Sequence, residues 1–260
     1  MISHPRLHAF FGVGVLLIVA IAADDPASAP VYELRIYHCN EGKLPALHAR
    51  FRDHTAKLFD KHGMKNVAYF TPQDEVNGKQ VTLVYVLQHA NRDAAKASWA
   101  AFGADPEWQK VRAASEKDGV PLVKKVDAIY LDATPYSPNP LGLEPAPEPR
   151  VFEMRTYKAS PGKLENLHKR FHDHTLKLFE KHGMTNVVCG VPQDVEKGKG
   201  ETLIYFLAFP SRDQATKSWK AFVDDPEWQK VFKESQPDGV ELAAKIDSLF
   251  LEPTDYSPIR

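Results

Sequence analysis

FRDHTAKLFDKHGM, residues Phe51–Met64, returns 120 residues later as FHDHTLKLFEKHGM, residues Phe171–Met184. The same offset aligns residues 31–138 with residues 151–258 without a gap, and 58 of the 108 aligned positions are identical. Identity of this extent indicates a duplicated unit rather than a chance similarity. The sequence therefore predicts two tandem domains, residues 31–138 and 151–258, joined by a Pro-rich, extended linker at residues 139–150.

The pattern of apolar residues places the first elements of each copy. Val31–Tyr37 alternates and is rich in β-forming residues, which predicts a strand. Apolar residues recur at helical spacing from Leu44 to Leu58, and Gly63 is the residue at which this predicted helix ends. In the second copy, Ser160 is the predicted N-cap of the equivalent helix, with Pro161 at its first position.

The remaining elements follow in the order strand, strand, helix, helix, strand. Residues 64–71 and Val81–Gln88 are the predicted strands, and a helix is predicted over Arg92–Phe102. Asp105 followed by Pro106 predicts the start of a third helix, and residues 125–131 are the last strand. The order is the ferredoxin-like βαββαβ pattern, so the fold class is α+β.

Strand three, Val81–Gln88, is apolar on both of its faces. The helices cover one face of such a sheet, and the other face needs a second cover. The simplest cover is the other copy, so we predict that the two domains pair face to face into one closed barrel within the chain. Pairing of each copy with a second chain is the alternative that the sequence leaves open.

The first 29 residues have the pattern of a signal peptide. Arg6 precedes an uncharged apolar run of 15 residues, from Ala9 to Ala23, whereas a transmembrane helix needs roughly 20. Small residues suited to cleavage follow. We predict export to the periplasm or the medium without stable membrane insertion after cleavage; an uncleaved anchor is the alternative.

Composition excludes some partners and cofactors. Lys and Arg total 33 against 34 Asp and Glu, without the basic surplus that nucleic-acid binding requires. No phosphate-binding glycine loop, catalytic-triad signature or Cys/His metal motif is found, so no cofactor and no metal are predicted. Cys39 and Cys189 form either one bridge or two free thiols.

The polar face of strand one is the first candidate site. Alternation places Glu33, Arg35 and Tyr37 on one face, and the second copy repeats them as Glu153, Arg155 and Tyr157. They form either an internal ion pair that fixes strand register or a pocket that binds an anion or carbonyl group through the Arg fork.

Two further residue types are candidates in each copy. His54 and His174 flank the buried stripe of their helices, and each is either a catalytic base or a core histidine. We expect each histidine to share one pocket with Arg and Tyr of strand one. Trp99 and Trp219 either pack in the core or line an apolar ligand pocket.

Seven short motifs occur in a fixed order in the first copy, and the second copy repeats them. They are Glu33–Tyr37 (ELRIY), Gly42-Lys43-Leu44, Asp53-His54-Thr55, Lys61–Met64 (KHGM), Ser98–Phe102 (SWAAF), Asp105–Trp108 (DPEW) and Tyr136-Ser137-Pro138. In this combination each copy resembles the NIPSNAP family. The resemblance implies a dimeric α/β-barrel. That superfamily includes small monooxygenases, haem-degrading enzymes, isomerases and proteins without known activity, so the resemblance implies no single chemistry.

We therefore predict an exported protein that binds a small, partly apolar ligand in a barrel pocket. Two alternatives remain at this stage. One is a cofactor-independent oxygenase or isomerase of the dimeric α/β-barrel type, and the other is a protein-interaction module without small-molecule chemistry.

Overall fold

Eight antiparallel strands form one closed barrel. The computed structural model describes Met1 and residues 30–260, so the segment expected to be a signal peptide lies outside the described residues apart from Met1. The strands are β1 (Val31–Cys39), β2 (Lys65–Pro72), β3 (Thr82–His89), β4 (Val123–Ala133), β5 (Val151–Ala159), β6 (Thr185–Pro192), β7 (Thr202–Phe209) and β8 (Ala243–Pro253).

Each repeat supplies one half of the barrel. The strands follow the order β1-β3-β2-β8-β5-β7-β6-β4 around it. Within each repeat the first strand lies between the third and the fourth, and the halves join where β2 pairs with β8 and β4 pairs with β6. The predicted closure of the barrel within a single chain is confirmed.

The helices lie outside the barrel. They are α1 (Leu44–Arg50), α2 (Ala56–Lys61), α3 (Arg92–Ala104), α4 (Pro106–Ser115), α5 (Leu164–Arg170), α6 (Leu176–Lys181), α7 (Arg212–Asp224) and α8 (Pro226–Glu234). A π-helical turn joins α1 to α2 at Phe51–Thr55, and a second joins α5 to α6 at Phe171–Thr175. Asp105 caps α4 as predicted, because its side chain accepts a hydrogen bond from the Glu107 amide.

The prediction that Ser160 caps the first helix of the second repeat is wrong. Gly162 has a φ of +73°, which cannot be part of a right-handed helix, so α5 begins two residues later at Leu164. The Ser160 hydroxyl instead donates a 2.5 Å hydrogen bond to the Glu241 carbonyl. Ser160 and Pro161 therefore form a turn that ties the loop to the segment before β8.

Apolar side chains from both repeats fill the barrel interior. Tyr32 and Leu34 of β1 belong to the same buried cluster as Phe152 and Met154 of β5. Phe70 and Phe152 meet across the joint between the repeats with ring centroids 4.8 Å apart. Each buried ring of this kind contributes roughly 1.5–3 kcal/mol, so the interior core stabilises the barrel only while both repeats are present.

The C-terminal tail of each repeat lies on the other repeat. The Tyr256 hydroxyl is hydrogen bonded to His48 of α1 (2.8 Å), and the Tyr136 hydroxyl to His168 of α5 (2.6 Å). The serines that follow accept hydrogen bonds from strand amides of the opposite repeat: Tyr69 N–H to Ser257 (3.0 Å) and Cys189 N–H to Ser137 (2.9 Å). The repeated Tyr-Ser-Pro motif therefore joins the two halves reciprocally.

The two cysteines are free and buried. Cys39 packs between sheet and helices of the first repeat, and Cys189 in the equivalent core of the second. They therefore form two separate thiols rather than a bridge. Over residues 30–260, no helix has the length and apolar character needed to cross a membrane.

Candidate functional site

A cavity of about 290 Å³ lies between the sheet and the helices of the first repeat. Phe51, Phe59, Phe102 and Trp108 form its aromatic wall, and Tyr37 of β1 reaches it from the sheet. The rings of Phe102 and Trp108 pack against each other, with their centroids 4.4 Å apart. The volume is at the lower end of the range of about 300–1,000 Å³ that small-molecule sites occupy.

The mouth of this cavity is basic. Arg112 of α4 and Lys124 and Lys125 of β4 line it, and among the lining residues within 30–260 only Glu116 is acidic. Val126 of β4, also at the wall, is 42% exposed. The cavity therefore combines an aromatic interior with a cationic, partly apolar entrance.

The π-helical turn shapes the cavity wall. Its first and last residues, Phe51 and Thr55, are buried and line the cavity. The Thr55 hydroxyl donates a hydrogen bond of 3.1 Å to the Arg50 carbonyl at the start of the turn. π-helical turns are rare and often mark functional sites, and this one is present in both repeats at the same place.

The same turn directs His54 away from the cavity. Residues 52–54 are exposed, and His54 lies in an outer groove with Asp53 and Lys110. His174 is exposed in the same way. The expectation that His54 and His174 share a pocket with Arg and Tyr of strand one is wrong, because the wide turn places the histidine on the solvent side of the helix.

Arg50 forms the polar end of the cavity, and sequence reasoning missed it. It is 6% exposed, its Nη1 donates to Glu116 (3.0 Å) and Ser115 (3.1 Å), and its guanidinium lies 5.2 Å from the Trp108 ring. Burial raises the pKa of Glu116, but the Leu122 amide and Arg50 outweigh it and hold that pKa below its ordinary value. The sequence did contain a signal for this residue, because both copies have an arginine at the edge of the apolar stripe of the first helix.

The equivalent cavity of the second repeat is much smaller, about 80 Å³. Phe232 stands where the first repeat has Arg112, and its ring lies 5.6 Å from that of Trp228. Gln236 replaces Glu116. The duplication has therefore produced one open, basic cavity and one narrow, mostly aromatic cavity.

The predicted residues of strand one lie on the helix-covered face, and Glu33 is their centre. Glu33 is wholly buried and accepts hydrogen bonds from Arg35 (2.8 Å), Trp99 (2.6 Å) and His89 (2.8 Å). The Arg35 guanidinium also lies 4.1 Å from the Trp99 ring centroid. Burial raises the pKa of Glu33, but His89, Arg35 and Trp99 together lower it by more than burial raises it and leave it below the ordinary value.

The second repeat repeats this cluster with one exchange. Glu153 accepts hydrogen bonds from Arg155, Trp219 and Ser248, each of 2.6 Å. Phe209 occupies the position of His89, and Ser248 supplies the hydrogen bond that is otherwise lost. Sequence comparison of the copies could not reveal His89, since only one copy has it.

The carboxylates of Glu33 and Glu153 are hydrogen bonded within the protein, whereas the buried Nε atoms of Arg35 and Arg155 have no partner in the described chain. The clusters do not line the cavity that Tyr37 lines. This geometry matches the ion-pair interpretation of strand one. A ligand-binding role for Glu33, Arg35 and Trp99, or for Glu153, Arg155 and Trp219, stays a prediction. Tyr37 and Tyr157 are the candidates that the structure places at a cavity wall.

The NIPSNAP family model matches residues 32–138 and again residues 152–258. The chain therefore belongs to the NIPSNAP family, with two tandem copies of its domain. Comparison with curated protein sequences gives no match.

Solved structures resemble the whole barrel or one repeat. A candidate monooxygenase from Lactobacillus acidophilus is 12% identical over 86% of this chain and 94% of its own, with a TM-score of 0.55. Another from Fusobacterium nucleatum is 8% identical over 87% and 93%, with a TM-score of 0.57. A NIPSNAP family protein of unknown function from Agrobacterium tumefaciens is 22% identical over 43% of this chain and 94% of its own (TM-score 0.37). The first two show that the fold is that of the dimeric α/β-barrels.

Proposed function

We propose that the protein binds a small, partly apolar molecule in the cavity of the first repeat. The observation that carries the proposal is the combination of about 290 Å³ of space with an aromatic wall between the sheet and the helices of the first repeat. A planar ring of the ligand contacts Phe51, Phe102 and Trp108, and polar substituents lie towards Arg112 and the lysines of the mouth.

A second candidate is a cofactor-independent oxygenase that uses the same cavity. Two structures that match the whole barrel are described as candidate monooxygenases, and the aromatic wall suits an electron-rich ring. In such a reaction the substrate supplies the electrons: 1-naphthol and O₂ give 1,4-naphthoquinone and water. Tyr37 is the side chain at the cavity that could hold the phenolic hydroxyl.

We also propose that the chain acts outside the cytoplasm. The support is the apolar segment that follows Arg6 and ends before Asp24. The N-terminal sequence of the protein from its native host should begin between residues 23 and 30, and an intact Met1 in the cytoplasmic fraction would contradict export.

1-Naphthol tests both functional candidates. Native mass spectrometry should show one naphthol per chain, since two fused rings fit the larger cavity and exceed the smaller one. Oxygen uptake with naphthoquinone formation would favour the oxygenase, and binding without uptake would favour a binding protein. No bound naphthol at concentrations up to its solubility would contradict the proposal and favour a protein-interaction module.

A further inference from the structure

Arg170 has a buried charge that forms no ion pair with a carboxylate within residues 30–260. It is 5% exposed, its Nη1 makes a long 3.4 Å hydrogen bond to the Ser235 hydroxyl, and its buried Nε has no partner. The rings of Trp228 and Phe232 lie 5.2 and 5.4 Å from the guanidinium carbon. Aromatic rings stabilise a cation only weakly compared with a carboxylate.

The first repeat shows what is missing. There Nη1 of Arg50 is paired with Glu116 at 3.0 Å, while its Nε, like that of Arg170, has no partner in the described chain. The second repeat has Gln236 at that position. Its amide groups are already used, the oxygen by the Leu242 N–H (3.0 Å) and the nitrogen by the Phe232 carbonyl (2.8 Å). Arg170 therefore lacks the counter-charge that Arg50 has, and Gln236 supplies no hydrogen bond in its place.

A buried, unpaired charge is costly. Burial lowers the pKa of Arg170, although the nearby Tyr157, Tyr205 and Glu241 oppose that effect, and an arginine side chain stays protonated in proteins nonetheless. Arg170 thus keeps its charge, whereas the charge of the equivalent Arg50 is neutralised by Glu116. An anion that enters from outside would compensate it.

Space for such an anion adjoins the guanidinium. Arg170 lines the cavity of about 80 Å³, together with Tyr157, Trp228 and Phe232. Glu241, the one carboxylate among the lining residues, is exposed and forms no ion pair with Arg170 in the described chain. The volume corresponds to two or three water molecules at about 30 Å³ each, which is the size of a small organic anion.

We propose that the second repeat binds a short-chain carboxylate in this cavity, with the carboxylate against Arg170 and the alkyl group against Trp228 and Phe232. The site is separate from the larger cavity of the first repeat, and it requires neither ligand binding nor oxygenation there. A carboxylate is favoured over an inorganic anion because most of the lining side chains are aromatic or aliphatic.

Propionate and its uncharged analogue propionamide test the proposal on the full-length mature chain. The measurement is the ¹H–¹⁵N NMR signal of the Arg170 Nε–H, assigned through an Arg170→Lys variant, during titration at constant ionic strength. Propionate should shift the signal saturably, and propionamide should bind at least tenfold more weakly. Equal binding of the two probes, or no saturable shift, would overturn the proposal.

Two reciprocal variants exchange the residues of the repeats. Gln236→Glu should pair Arg170 as Arg50 is paired and abolish the propionate shift. Glu116→Gln should free Arg50 and create a second propionate-sensitive signal in the first repeat. If Gln236→Glu fails to fold, the Glu116→Gln result decides, and the absence of a new site there counts against the proposal. Naphthol binding is measured on the same samples and bears only on the first repeat.

Discussion

Tyr256, near the end of the second repeat, is joined to His48 of the first by a 2.8 Å hydrogen bond between its hydroxyl and the imidazole Nδ1. Tyr136 and His168 form the reciprocal contact at 2.6 Å. The two pairs are 208 and 32 positions apart in the chain, yet they form equivalent contacts in the two repeats. The tails thus act as two equivalent links between the halves of the barrel.

Tyr256→Phe and Tyr136→Phe should each lower the free energy of unfolding. Each removes one hydroxyl-imidazole hydrogen bond with little change of shape, and a hydrogen bond of this kind contributes about 1 kcal/mol. The double variant should lose about twice as much, since the two sites share no partners. Urea unfolding measures all three. Unchanged stability in both single variants would contradict a linking role for the tails.

Stability should fall as the pH drops from 7 towards 5. Burial lowers the pKa of His48, with Arg52 adding to the effect and Asp255 opposing it, and burial lowers the pKa of His168. The unfolded chain therefore takes up protons near pH 6.5 that the folded chain does not. The contribution of these two histidines to folding stability is complete above that pH, and it is lost as the pH falls through their pKa values in the folded protein.

The matched variant is His48→Asn with His168→Asn, which keeps an acceptor near each tyrosine hydroxyl. Its melting temperature should change less between pH 7 and 5 than that of the wild type. Carboxyl groups with ordinary or lowered pKa values titrate mainly below pH 5, outside the range compared. An identical slope in wild type and variant would show that these histidines do not titrate differently on unfolding.

Residues 31–138 alone should not give a stable monomer. The fragment would expose the barrel face of β1–β4, including Leu34 and Phe70, which the second repeat covers in the full chain. It should therefore form a homodimer that reproduces the barrel, or aggregate. Sedimentation measures the outcome, and a soluble, cooperatively folded monomer would contradict the shared interior core.

Cys39 and Cys189 should be unreactive in the folded protein. Burial raises the pKa of Cys39 to about 11 and that of Cys189 to about 12, so thiolate is scarce at pH 8. Ellman's reagent should find no fast-reacting thiol in the native state and two after denaturation without a reductant. Two fast native thiols would contradict the burial, and none after denaturation would reveal a bridge.

The fold was predictable because particular residues restrict it. Val81–Gln88 is apolar on both faces, which only a sheet covered on both sides explains, and Asp105-Pro106 marks a helix start in any context. The π-helical turns were not predictable from a helical period of about 3.6 residues, and they displaced His54 from its expected place. The Glu33–His89 contact joins strands 56 residues apart and occurs in one copy alone, so neither local pattern nor internal comparison could reveal it.

The residue differences that make the two cavities unequal are visible in the sequence, but their effect on the cavities is not. Arg112 and Phe232 are equivalent positions of α4 and α8, and Glu116 and Gln236 are equivalent positions just after these helices. The structure shows that Arg112 and Glu116 line the first cavity and that Phe232 and Gln236 line the second. Only the packing of α4 and α8 against the sheet gives these substitutions a consequence for ligand size and charge.

The most direct test of the proposed function is a naphthol titration of two matched variants, Val126→Phe and Ile246→Phe. Both add a ring at equivalent, partly exposed positions of β4 and β8, but only Val126 lines the larger cavity. Calorimetry should show wild-type affinity for Ile246→Phe and at least a tenfold weaker affinity for Val126→Phe, with both variants melting within a few degrees of the wild type. Equal affinity in the two variants would contradict a ligand site between the sheet and the helices of the first repeat.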